Sequence, residues 1–141
     1  MKKQFGDCFK DLEKYQKIIP IIKDKFNFLI SEYNFTFRCD QGVYGIYIYY
    51  VRKEFTLLLT YGAPEFIFEA GIRFPSSTKS YVLGKVLETK LYQWDPACIS
   101  KIDRNDRLKY NMEIIYIFLR NNIDILLAKS EETAQKLETE E

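Results

Sequence analysis

Between residues 35 and 74 the chain alternates apolar and polar side chains in four short segments, with only a few residues between one and the next. They are "FTFRC" (35–39), "YGIYIYYV" (44–51), "FTLLLTY" (55–61) and "FIFEAGIRF" (66–74). A period of two sends successive side chains to opposite faces of a strand. Asp40, Gln41 and Gly42 close the first segment, Arg52 to Glu54 join the second and third as a hairpin, and Gly62, Ala63 and Pro64 turn the chain into the fourth. Parallel neighbours need long crossovers, so connections this short dictate an antiparallel meander.

The flanks follow a helical period. Leu12, Tyr15, Ile18, Ile19, Ile22, Phe26, Leu29, Ile30 and Tyr33 fall on one helix face. Pro20 predicts a kink, or a break at Ile19–Pro20, and Asn34 predicts the stop. After "PSSTKS", Ser80 is read as the cap of a short helix with Val82, Leu83, Val86 and Leu87 inward. "LYQWDPACIS" reads as an irregular connection that includes Trp94 and Cys98. A long helix is predicted from Asp106 to Ala128, with Asp103 and Asn105 as candidate caps. Its inward residues are Leu108, Met112, Ile115, Leu119, Ile123 and Leu126. Lys109, Glu113, Tyr116, Arg120 and Asp124 form a solvated stripe opposite. The expected fold is α+β: an N-terminal helix, a four-stranded antiparallel meander, a short helix and a long C-terminal helix packed on one sheet face. Residues 1–128 are read as one domain. Residues 129–141, "KSEETAQKLETEE", are read as an acidic tail, either a frayed helix or flexible.

Charge and motifs narrow the chemistry. The net charge is +1; without the tail, 19 basic and 15 acidic residues leave +4, too mild for nucleic acid unless the charges cluster. The chain has no histidine, which removes Ser–His–Asp and Cys–His catalysis and most zinc sites. It has no P-loop, no GxGxxG and no EF-hand pattern. Glu65 with Glu69, and Asp103 with Asp106, are spacings that a solvated surface explains. Cys8, Cys39 and Cys98 are odd in number and lack a CxxC, so they read as buried reduced thiols. No catalytic residue, metal ligand or cofactor is therefore expected, and the reading is non-enzymatic. "MKKQFGDCFKDLEKY" has no apolar run of signal-peptide length, and Gln41 to Val51, the longest uncharged stretch, is too short to span a bilayer. A cytoplasmic protein with no membrane association is expected.

The aromatic share, 16 per cent with eleven Tyr and eleven Phe, exceeds what one core face requires. Parity sends Phe35, Phe37, Cys39, Ile46, Ile48, Phe55, Leu57, Leu59, Tyr61, Phe66, Phe68, Ala70, Ile72 and Phe74 inward, with Tyr44 and Tyr50 at the ends of their strand. Outward go Thr36, Arg38, Tyr47, Tyr49, Thr56, Leu58, Thr60, Ile67, Glu69 and Arg73. Of these, Arg38, Tyr47, Tyr49, Leu58, Glu69 and Arg73 have the composition of a protein-binding patch. Three other readings stand beside it: an exposed sheet stabilised by its own cross-strand pairs, a face covered by the C-terminal helix, or one buried in a homodimer. "VYGIYIY" is similar to the aromatic strand of an RNA-recognition motif at Tyr44, Gly45 and Tyr49, but four consecutive strands do not fit its interleaved order.

The layout resembles small bacterial α+β proteins, among them immunity proteins of toxin–immunity systems. The resemblance lies in the N-terminal amphipathic helix, "YIYYVRKEFTLLLTYG", "FIFEAGIRFP", "SYVLGKVLE" and "NMEIIYIFLRNNIDILL". It implies an intracellular protein that binds and blocks one cognate toxin, without cofactor. Immunity proteins against cationic nucleases are often strongly acidic, whereas this body is mildly basic, which leaves the toxin class open. The expected function is an immunity-type inhibitor that occludes a toxin: Tyr47 and Tyr49 give contact area, and Arg38, Glu69 and Arg73 set orientation. The alternative is a small-ligand or nucleic-acid binder that stacks its target on the same tyrosines.

Overall fold

The computed structural model describes residues 15–42, 45–62, 67–75, 77–87, 89, 92 and 107–139. Helix α1 runs through residues 15–25 and α2 is Phe28–Ser31. Five strands follow: β1 (Thr36–Gln41), β2 (Gly45–Val51), β3 (Thr56–Gly62), β4 (Glu69–Arg73) and β5 (Tyr81–Val82). Then come α3 (Leu83–Leu87), α4 (Arg107–Ala128) and α5 (Ser130–Thr139). The strands form one antiparallel sheet in the order β1-β2-β3-β4-β5. The α+β meander of the sequence is therefore present, with β5 added at one edge. Leu12, Tyr44, Phe66, Trp94, Cys8, Cys98, the Asp103, Asn105 and Asp106 positions and the Glu65 position lie outside the described residues.

The parity assignment holds strand by strand. Ile46, Ile48 and Tyr50, Phe55, Leu57, Leu59 and Tyr61, and Phe68, Ala70, Ile72 and Phe74 are all buried. They join Ile18, Ile22 and Phe26 of the N-terminal segment and Met112, Ile115, Leu119, Ile123 and Leu126 of α4 in a single hydrophobic cluster. Aromatic rings meet within it at angles: Tyr15 is edge-on to Tyr61 at 6.3 Å, and Phe55 touches both Phe35 (5.7 Å) and Phe74 (6.2 Å). Such offset and edge contacts add to simple area burial.

The helices depart from the sequence reading in instructive ways. α1 continues through Pro20, which is exposed, and the break falls at Phe26–Asn27 instead. A proline inside a helix costs about 3 kcal/mol. Burying each large apolar side chain returns about 1.5–3 kcal/mol, and Tyr15, Ile18, Ile22 and Phe26 are all buried. Packing wins. At the break Asn27 and Leu29 donate to the carbonyls three residues back, Asp24 at 3.4 Å and Phe26 at 3.1 Å, a tightened turn that reorients the chain. Asn34 is the stop as expected: it takes the left-handed conformation (φ 61°), and its N–H donates to the Ile30 carbonyl at 3.2 Å.

Two segments need correction. Val82 is on β5 and exposed rather than inward on a helix, while Leu83 and Val86 are buried as predicted. Within residues 129–141, where polar composition suggested a frayed helix or a flexible tail, Ser130–Thr139 form a docked helix, α5, with Thr133 and Leu137 buried. Thr133 shares a hydrogen bond with the buried Tyr92 hydroxyl. Among the described residues no helix is long and apolar enough to cross a membrane. Leu137→Ala is expected to lower unfolding free energy by about 2–5 kcal/mol in urea denaturation. A change within about 0.5 kcal/mol, typical of a surface site, would contradict the docking of α5.

Candidate functional site

The register arranges the outer sheet face in three rows. Arg38 is opposite Tyr49, Tyr49 opposite Leu58, Leu58 opposite Gly71 and Gly71 opposite Val82, one row across all five strands. On one side runs Asp40–Tyr47–Thr60–Glu69, on the other Thr36–Val51–Thr56–Arg73. The six residues singled out from the sequence thus occupy one face: Arg38, Tyr49 and Leu58 in the central row, Tyr47 and Glu69 in the second, Arg73 in the third. Ile67 is half-buried and precedes β4 rather than lying on it.

The centre of this face is apolar. Tyr47 is 42% exposed and Val82 59% exposed; Val51 is exposed too, and Tyr49 and Leu58 are half-buried. The Arg38 guanidinium lies 4.2 Å above the Tyr49 ring, which holds a cation at one end of the central row. Gly71 leaves a dip between Leu58 and Val82, where a Cβ would come 3.2 Å from the Tyr81 carbonyl oxygen. The sequence reading missed Val51 and Val82. Val51 was recoverable, since it shares parity with Tyr47 and Tyr49; Val82 was not, having been assigned to the wrong element.

Nothing among the described residues covers this face. Met112, Ile115, Phe118, Leu119, Ile123 and Leu126 of α4 belong to the cluster on the opposite side of the sheet. The reading in which the long helix hides the tyrosines is therefore set aside.

The stripe on α4 expected to be solvated is instead a clamp. Lys25 pairs with Glu113 and sits 4.4 Å over the Tyr116 ring. Arg120 pairs with Glu32 at 2.8 Å, donates from Nε to the Tyr116 hydroxyl at 3.2 Å, and stacks 4.1 Å from the Phe28 ring. Burial, and then the Asp124 carboxylate that accepts its hydrogen bond, raise the Tyr33 phenol above its ordinary value. These groups hold the α1–α2 corner against α4. Arg52 is likewise engaged, donating to Glu54 at 3.1 Å and to the Tyr33 carbonyl at the end of the α2 turn.

A separate cleft of about 540 Å³ lies between the β2–β3 turn, the end of β4 and α5, lined by Lys53, Glu54, Phe74, Pro75, Ser130 and Glu131 among others. It holds none of the residues singled out from the sequence as partner-binding. Among the described residues no group of three or more His, Cys, Asp or Glu is placed to hold a metal ion.

Beneath the patch, Tyr50 is fully buried and its hydroxyl has no hydrogen-bond partner among the described residues. Burial, with the Cys39 thiol adding to it, pushes this phenol well above its ordinary value of 10.0. The folded state therefore holds the proton more tightly than the unfolded chain, so this contribution to stability is complete below pH 10 and declines as pH rises above it. Tyr50→Phe is expected to raise stability by about 1 kcal/mol and to reduce the alkaline decline, both read from denaturation curves at neutral and high pH. Destabilisation by Tyr50→Phe with the alkaline decline unchanged would mean that the hydroxyl is bonded.

The fold and this face define an α+β domain with one open, aromatic sheet surface. The chain matches no family model, no curated protein and no solved structure.

Proposed function

We propose that this chain is a non-enzymatic protein-binding domain that docks a folded partner protein on the outer sheet face. The observation that carries the reading is the central row Arg38–Tyr49–Leu58–Gly71–Val82, flanked by exposed Tyr47 and Val51. Rigid aromatic and aliphatic side chains in the middle, with charge at the margin, are the anatomy of a protein interface. A five-stranded face is roughly 20 Å across and 17 Å along the strands. That is the core of an interface of standard size, about 800 Å² per partner, so the partner must also reach the flanking turns.

Charge favours protein over nucleic acid. Arg38 and Arg73 on this face are matched by Asp40 and Glu69, and the two arginines are three strands apart, roughly 14 Å. Arg52, just past the end of β2, is committed to Glu54 and the Tyr33 carbonyl. A phosphate track needs cations clustered in one stripe. A flat face also gives a small ligand little concavity.

In its most concrete form the proposal is an immunity-type inhibitor acting in the cytoplasm, which occludes a cognate toxin without a cofactor. Tyr47 and Tyr49 supply contact area, and Arg38, Glu69 and Arg73 fix the approach. That form rests on the layout resemblance; the binding face supports it without depending on it.

Affinity capture from the source organism, comparing wild type with Tyr47→Ser/Tyr49→Ser, tests the reading once circular dichroism shows the double variant folded. The variant is expected to lose a protein that the wild type retains, with affinity down at least about tenfold. Retention should change little with moderate salt; a steep loss would point to phosphate contacts. Equal capture by both proteins would remove the tyrosine face from the account.

A further inference from the structure

The sheet has an open side as well as an open face. β1 is an edge strand, with β2 as its one ladder partner among the described residues. The Gly42 N–H donates to the Gly45 carbonyl at 2.8 Å, so Gly42 faces β2. Alternation along an antiparallel strand then turns Asp40, Arg38 and Thr36 toward β2 as well, and directs the backbone groups of Phe37 and Cys39 away from it. The Phe35 N–H follows the same parity but is taken by the Leu29 carbonyl at 3.0 Å, so the edge groups without a partner among the described residues are those of Phe37 and Cys39. Side-chain burial is also incomplete here. Phe37 and Cys39 point to the inner face yet are only half-buried, whereas Tyr50 and Ile48 opposite them on β2 are fully buried.

We propose that β1 pairs antiparallel with β1 of a second copy of this chain, about a two-fold axis at Cys39, joining two sheets into one of ten strands. Both the hydrogen-bonding parity and the in–out parity require odd residues to meet odd and even to meet even. Three registers centred in the middle of the strand satisfy this. An axis at Arg38 sets two arginines against each other, and an axis at Asp40 sets two aspartates against each other. An axis at Cys39 puts Arg38 across from Asp40 of the second copy, twice by symmetry, as closely spaced non-hydrogen-bonded pairs. Cys39 meets its own copy in a hydrogen-bonded pair, and Phe37 lies opposite Gln41. Charge thus selects one register out of three. Neither Arg38 nor Asp40 has an ion-pair partner among the described residues. The same pairing would cover the half-exposed flanks of Phe37 and Cys39. It leaves Tyr47, Tyr49 and Leu58 of the outer face free, with Tyr49 of each copy on the same side of the enlarged sheet, and shares with the proposed partner docking only Arg38, whose guanidinium would turn from the Tyr49 ring toward the second copy.

Charge exchange tests the register. Wild type, Arg38→Asp, Asp40→Arg and the double exchange would be compared by sedimentation equilibrium over a range of concentrations, after circular dichroism confirms each is folded. The wild type is expected to dimerise. Each single exchange creates two like-charge pairs across the axis and should weaken the dimer about tenfold or more. The double exchange restores opposite charges and should recover most of the affinity. A wild type monomeric throughout, a dimer indifferent to the single exchanges, or single losses not recovered in the double variant would each overturn the proposal.

Discussion

Everything in this molecule depends on the fixed parity of a four-strand meander. Because strand side chains alternate, burying one face commits the other to the outside, and a slip of one residue would reverse the two sets. Leu57, Leu58 and Leu59 show how local the consequence is: the outer two are buried and the middle one is not. The hairpin that sets this register leaves no room for error at its end. Gly45 faces Gly62, and a Cβ on Gly45 would lie 2.6 Å from the Tyr61 carbonyl oxygen. At position 45 nothing larger than hydrogen fits.

The second layer follows from the first. The inner face presents rings and branched aliphatics, and the helices answer with Tyr15, Ile22, Phe118 and Leu119, joined by Phe26 at the α1–α2 break. Polar groups then fix how the helices meet one another. Arg120, Glu32 and Tyr116, with Lys25 and Glu113, bridge the α1–α2 corner and α4 at half-exposed positions, where each pair contributes modestly. Their value lies in orientation. All described helices are committed to one side of the sheet, which is why Tyr47, Tyr49, Val51 and Val82 meet solvent.

Much of this was legible in the sequence because period two and short turns constrain a chain so tightly. The strand faces, the Asn34 stop and most of the inward stripe of α4 follow from spacing alone. What was not legible depended on tertiary context. Pro20 looks like a break until the apolar side chains on both sides of it are counted as buried. The residues of α5 are polar enough to resemble a tail, and Leu137 is a single apolar position with no periodic support. The polar stripe on α4 reads as solvated because sequence does not reveal which helix will lie beside it. The outward position of Arg38, Tyr47, Tyr49, Leu58, Glu69 and Arg73 followed from parity, but Val82 escaped, since two residues are too few to announce a strand. The proposed function was less legible than the fold, since the outer face has a composition and no motif.

The central claim is that one sheet face is open while the other is packed, and consecutive leucines make a direct test. With methyl groups of Leu57, Leu58 and Leu59 isotopically labelled, a soluble paramagnetic agent would be titrated and signal attenuation followed for each. Strong attenuation at Leu58, with Leu57 and Leu59 spared, is the result the account predicts. Protection of Leu58 equal to that of its two neighbours, at a concentration where the protein is monomeric, would mean that the outer face is covered and would contradict it.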